Sequence, residues 1–97
     1  MLTGRTASPD FLKLVTWIAV NHHRKVIAVD TARAFHFGSN FLVEVDIVLP
    51  ADMDLRESHD IGESLQYRLE RLEHVERAFV HVDYDSVHRP ETEHKIN

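Results

Sequence analysis

A histidine and a carboxylate two residues apart on an extended segment leave the same face about 7 Å apart, close enough to converge on one ion or on a pair of ions. His81 and Asp83 have that spacing within a β-branched stretch over 75–84, and Asp46 holds the matching parity in an alternating stretch over 41–49. If the two stretches are neighbouring strands, the three side chains meet on one surface. Imidazole and carboxylate donors without a thiolate suit Zn(II), Mn(II) or another borderline-to-hard divalent ion and exclude a Cu(I)–thiolate site. The spacing reads equally well as a solvated polar face. His59 and Glu63 lie four residues apart on a helical stretch, a pair that can hold a metal but also arises by chance. His22 and His23 end another helical stretch, where positive charge complements the dipole, and read as a helix terminus. His36, His74, His88 and His94 read as ordinary surface or tail positions.

The elements that must position these groups follow from periodicity. Ser8-Pro9-Asp10 is a helix start, with Ser8 as cap, Pro9 at the first helical position and Asp10 at the positive end of the dipole. Phe11, Leu14, Val15 and Ile18 recur at helical spacing and predict a first helix over 9–22, with Trp17 and Val20 off that stripe. The stretch over 25–37 is β-rich and ends in the turn cluster Gly38-Ser39-Asn40. Beyond it, Phe41, Val43, Val45, Ile47 and Leu49 alternate with Glu44 and Asp46, so the two strands form a hairpin. Asp54 and Glu57 have capping-box spacing, and Ile61, Leu65, Leu69 and Leu72 mark the buried stripe of a second helix over 54–72. In the third strand, Ala78, Val80 and Val82 face the helices while Phe79, His81 and Asp83 face away. The order α-β-β-α-β predicts a two-layer α+β sandwich, three strands with two helices on one face. The other face mixes Leu42, Val48 and Phe79 with Glu44, Asp46, His81 and Asp83 and invites a second subunit. Residues 1–7 read as a flexible lead-in, 8–85 as the domain and 86–97 as a flexible polar tail.

Composition narrows the partners. A chain of 97 residues makes one domain, and one this small gains from dimerisation. A net charge of −5, from 11 Lys+Arg against 16 Asp+Glu, argues against nucleic acid and against docking on anionic lipid. With no cysteine there are no disulfides, thiol nucleophiles or iron–sulfur ligands. No apolar run approaches the roughly 18 residues a membrane helix needs, so the chain reads as cytosolic or as a cytosolic piece of something larger. The three glycines are isolated, and neither a serine elbow nor an H-E-x-x-H helix is present, so no enzymatic activity and no small-molecule substrate are expected. Eight histidines are the compositional oddity.

The motifs DTARAF (30–35), VEVDIVLP (43–50), HDIGESLQ (59–66), VERAFVHVDY (75–84) and HRPE (88–91), taken together over about residues 8–90, resemble the C-terminal cytosolic domain of cation diffusion facilitator transporters, most of all the manganese-type metal tolerance proteins of plants and their fungal relatives. The resemblance implies a ferredoxin-like, metallochaperone-like fold and a V-shaped homodimer beneath a transmembrane proton/metal antiporter, in a vacuolar or Golgi-type membrane if the protein is plant-like. In zinc-type members of that family, metal binds between the two cytosolic lobes. The family's second-strand ligand falls on Asp46, its helix-two histidine on His59, and its third-strand His-x-Asp on His81 and Asp83. Its first-strand histidine falls on Val29, or on Asp30 if the alignment moves by one residue, and this is a departure from the pattern.

The expected function is therefore a regulatory and dimerising cytosolic domain of a divalent-cation efflux transporter. It would bind Mn2+ or Zn2+ through Asp46, His81 and Asp83 with His59 from either subunit, and its partners would be a second copy and the transmembrane domain of the same transporter. Two alternatives stand beside it. One is a dimerisation domain that never holds metal. The other is a small metal-dependent hydrolase, which would need a deep pocket around His81.

Overall fold

The computed structural model describes residues 7–85. Five elements follow in the order α1 (Pro9–Val20), β1 (Ala28–Phe37), β2 (Asn40–Pro50), α2 (Leu55–Glu70) and β3 (Val75–Asp85). This is the expected α+β order of two helices and a three-stranded sheet. Both helix starts form as their sequences direct. Ser8 Oγ accepts from the Phe11 N–H, and Asp54 Oδ1 accepts from the Glu57 N–H at 2.7 Å. The Glu57 carboxylate takes Lys25 as its partner, 2.9 Å away, and so ties α2 to the segment that follows α1.

The strand order is β1-β2-β3, with β2 antiparallel to β1 and parallel to β3. A parallel neighbour needs a long crossover, and α2 supplies it. Alternation along β2 then decides the layers. Val43, Val45, Ile47 and Leu49 are almost fully buried beneath the helices, joined by Ala34 from β1 and Ala78 from β3. From α1 come Val15, Ile18 and Ala19, and from α2 Ile61, Leu65 and Leu69. Leu14, expected on the inner stripe of α1, is 44% exposed, and Ala19 and the partly buried Leu12 pack in its stead. The reason is geometric: a stripe centred on Val15 and Ile18 can admit Phe11 and Ala19 while leaving Leu14 on its rim. Trp17 and Val20 are exposed, as their position off that stripe required.

Gly62 lets α2 approach β3 closely, since a Cβ there would sit 3.2 Å from a Val82 methyl. Gly38 takes a positive φ of 63° in the β1–β2 turn, a conformation that favours glycine. The sheet edges are partly satisfied from within the chain. Ala7, the last residue of the expected flexible lead-in over 1–7, is buried, and its N–H donates to Ala34 O at 3.0 Å on the outer side of β1. The remainder of the expected lead-in, 1–6, and the expected tail over 86–97 lie outside the described residues. On the β3 edge, Glu70 Oε2 accepts from the Ala78 N–H at 3.1 Å and also meets Arg77 Nε at 3.4 Å. These bonds, the Ala78 N–H first, hold the Glu70 carboxyl below its ordinary range.

Two measurements check this packing. Leu65→Ala empties a fully buried position and is expected to cost about 2–5 kcal/mol, while Leu55→Ala, at a site 84% exposed, stays within about 0.5 kcal/mol; denaturant midpoints read at unchanged slope separate them. Because the folded-state pKa of Glu70 is lowered, its contribution is complete above the ordinary carboxyl value of about 4.3 and is lost as pH falls through the folded value. Glu70→Gln is therefore less stable than wild type near neutrality, and the difference shrinks as an acid titration of unfolding goes below that value.

Candidate metal-binding surfaces

The pairing register fixes which candidate ligands are neighbours. Thr31, Asp46 and His81 are successive partners across β1, β2 and β3, and the next row toward the end of β2 pairs Val48 with Asp83. Strands two and three are thus adjacent, and Asp46 stands beside His81 on the face turned from the helices. Asp46 is half-buried, whereas His81 and Asp83 are exposed. Arg33 and Glu44 pair at 3.4 Å one row away, and Phe79 lies beside Glu44 with Arg77 stacked over its ring at 5.4 Å. Apolar groups are interleaved with these: Phe79 and Phe37 are about half exposed, and Val48 is buried even without a covering layer. The chain's own helices leave this surface open, and its mixed character suits contact with another subunit.

The register of β1 shifts between Val29 and Thr31, leaving Asp30 as the extra residue of a bulge. Val29 pairs with Ile47 on the helix side, while Thr31 occupies the β1 position beside Asp46. The β1 contribution to the Asp46–His81 row is therefore a hydroxyl, not an imidazole.

His59 lies elsewhere. It is on the flank of α2, its side chain 62% exposed, at a shallow groove of about 190 Å³ shared with Glu63, Gln66 and the helix-facing Val80 and Val82 of β3. His81 projects from the opposite side of the same strand. Within one chain, then, His59 and the Asp46–His81 row lie on opposite sides of β3. Among the described residues, the one group of three or more His, Asp or Glu side chains whose ligating atoms all lie within 4.8 Å of one another is His59, Asp60 and Glu63. Asp46, His81 and Asp83 share a face without gathering that tightly. In the α2 group, His59 Nδ1 is 3.2 Å from Asp60 Oδ1, and Glu63 Oε2 accepts from Tyr67 at 3.3 Å. The helical spacing of His59 and Glu63 was legible from sequence; Asp60 was not, because adjacent helical positions point about 100° apart, and only its rotamer swings the carboxylate back to the ring.

Chemically, both surfaces offer imidazole nitrogen and carboxylate oxygen to a divalent cation, and neither encloses it. A complete shell around an ion would need water or groups from a second chain. No helix among the described residues is long and apolar enough to cross a membrane.

Comparison with known proteins gives these surfaces a family. Residues 10–85 match the family model described as the cytoplasmic domain of cation efflux proteins. Metal tolerance protein 5 of Oryza sativa subsp. japonica is 58% identical over 90 residues, covering 93% of this chain and 22% of that protein. Metal tolerance protein 10 of Arabidopsis thaliana is 57% identical over 96 residues, covering 99% of this chain and 22% of that protein. The chain thus spans less than a quarter of the length of these relatives. Among solved structures, CzrB, provisionally described as a zinc transporter, superposes with a TM-score of 0.72 at 15% identity over 82% of this chain and 99% of that one. The cadmium form of a single-substitution variant of the MamM C-terminal domain gives 0.69 at 18% identity over 81% of this chain and 100% of that one. At such identities these structures establish the shared α-β-β-α-β fold alone. The family is one of metal-transport domains, not of enzymes, and with a family match over most of its length and relatives above half identity, the chain belongs to the cation efflux protein cytoplasmic-domain family.

Proposed function

We propose that this chain is the dimerising, metal-responsive cytosolic regulator of a divalent-cation efflux transporter, joined to a membrane-embedded part that carries the ion. The observation that carries the reading is the register pair Asp46–His81, set beside Asp83 on a sheet face that is free of helices and dotted with exposed aromatic rings. In this reading a second copy covers that face. Asp46, His81 and Asp83 bind the ion, and His59, which lies across β3 from them in its own chain, joins from the partner or around the strand edge. The hard oxygen content of the set favours Mn2+ or Zn2+ over softer ions. Support comes from relatives named as metal tolerance proteins and from a cadmium form of a domain with the same fold.

Regulation follows from linkage. Ligands contributed by two lobes bind an ion better when the lobes are close, so metal shifts the dimer toward its closed arrangement by no more than the difference in affinity for the two arrangements. A coupling of about 1–3 kcal/mol is enough to bias an attached membrane part.

A second reading is favoured by a specific observation: Asp46, His81 and Asp83 do not gather within ligating distance of one another in the single chain. There the same face serves only to pair two copies, without metal.

Calorimetric titration of the purified chain with Mn(II) and Zn(II) decides between them. Because the candidate ligands are exposed or half-buried, His81→Ala/Asp83→Ala and His59→Ala are expected to change stability by only about 0.5 kcal/mol per site. The double variant should bind at least about tenfold more weakly, equivalent to about 1.4 kcal/mol. Sedimentation should show a dimer that becomes more compact with metal and relaxes with chelator. Equal heats from wild type and double variant, with a dimer indifferent to metal, would leave the pairing scaffold as the function.

A further inference from the structure

Three residues tie the end of α1 to α2 by a chain of hydrogen bonds whose directions can be worked out. His22 Nε2 lies 2.7 Å from Ser64 Oγ. Ser64 Oγ also lies 3.1 Å from Ile61 O, which can take its hydroxyl hydrogen and leave the oxygen to accept from His22. In that arrangement Nε2 carries the hydrogen. The other ring nitrogen, Nδ1, faces Arg68 Nη1 at a long 3.5 Å; a guanidinium has no acceptor, so Nδ1 must be bare. The network holds together for one protonation state, the neutral ring with its hydrogen on Nε2.

We propose that His22 is a proton-sensitive clasp between the C-terminal end of α1 and the middle of α2, tight when the ring is neutral and loosened on its Arg68 side when Nδ1 is protonated, with Ser64 Oγ still accepting from Nε2–H. Protonation sets two donors, Nδ1–H and the Arg68 guanidinium, against each other and brings two cations together. The charged groups bearing on His22 are Arg68 from α2 and His23 from its own segment, and no carboxylate is among the causes that set its titration. Burial first, then Arg68 and His23, hold the ring below the ordinary histidine value. With the folded-state value lowered, the stability of the clasp is complete above about pH 6.5, the unfolded-state value, and is lost as pH falls through the folded one. Elsewhere α1 and α2 touch sparsely, so loosening this contact raises the mobility of residues 20–23 without dismantling the core, while the Lys25–Glu57 pair still tethers the segment beyond them. The device acts on protons alone and needs no metal.

The test is nitrogen-resolved NMR of the histidine rings in the purified wild-type chain, without metal. His22 is expected to show the Nε2–H tautomer near neutrality and to titrate below an unstructured histidine peptide. Amide exchange at residues 20–23, corrected for the intrinsic effect of pH, should rise several-fold between about pH 7.5 and about pH 5.5, the window in which histidine changes charge. In His22→Gln, whose amide offers both a donor and an acceptor without titrating, that rise should disappear. An Nδ1–H tautomer, a midpoint at or above the peptide value, or the same rise in His22→Gln each overturns the clasp; the first two need no variant to fold.

Discussion

Strand β2 is paired on both edges and buried on one face, and these two conditions together determine where every candidate ligand can be. Its inward row of Val43, Val45, Ile47 and Leu49 is held under both helices. Because side chains alternate strictly, that burial forces Glu44 and Asp46 outward. A slip of one residue would drive two carboxylates into an apolar layer at a cost of several kcal/mol each and bring the aliphatic row into water. Register is therefore strongly specified, and with it the neighbours of Asp46: Thr31 on one side and His81 on the other. The chemistry of the open face is a by-product of how the core is made.

Much of this was legible in the sequence because it is written in periods and caps. Val43 to Leu49 alternate, Ile61, Leu65 and Leu69 recur at helical spacing, and Ser8 and Asp54 announce their helices. What periodicity does not encode is pairing. That β3 runs beside β2, placing His81 opposite Asp46 and not two rows away, depends on the length of α2 and on the register its packing selects. The bulge at Asp30 is equally silent: one extra residue moves the β1 position beside Asp46 to Thr31, and no local signal in DTARAF marks it. The role of Ala7 at the β1 edge was hidden for a related reason, since a single backbone bond to Ala34 leaves no pattern in side-chain chemistry.

The candidate ligands divide between two surfaces separated by the thickness of one strand. Val80 and Val82 line the groove that holds His59, and His81 between them points the other way. An ion that recruits both surfaces must bridge two chains or wrap the β3 edge, and the first route leaves the sheet undisturbed. Exposed ligands are a weak trap in a monomer because few of them are preorganised and water competes for every position. Bringing a second chain against the open face both excludes water and multiplies donors, so ion binding and pairing reinforce each other. The apolar groups around Phe79 matter here: in the proposed dimer they would provide attraction between copies that does not depend on an ion.

Helix α2 is where these separate demands converge, each assigned to its own side. Its inner stripe of Ile61, Leu65 and Leu69 completes the core, and Gly62 lets that stripe close on β3. Its N-terminal flank carries His59, Asp60 and Glu63; Glu70, at its last turn, satisfies the edge of β3; and Ser64 and Arg68 hold the end of α1 through His22. A rigid helix connects these contacts mechanically, since residues one turn apart cannot move independently while the backbone bonds hold. Any small rotation of α2 that shifts His59 and Glu63 also moves Ser64, the next residue along, relative to His22. The proposed metal and proton responses would therefore act on the same rigid element, each limited by how far α2 can turn before Leu65 and Leu69 leave their places in the core.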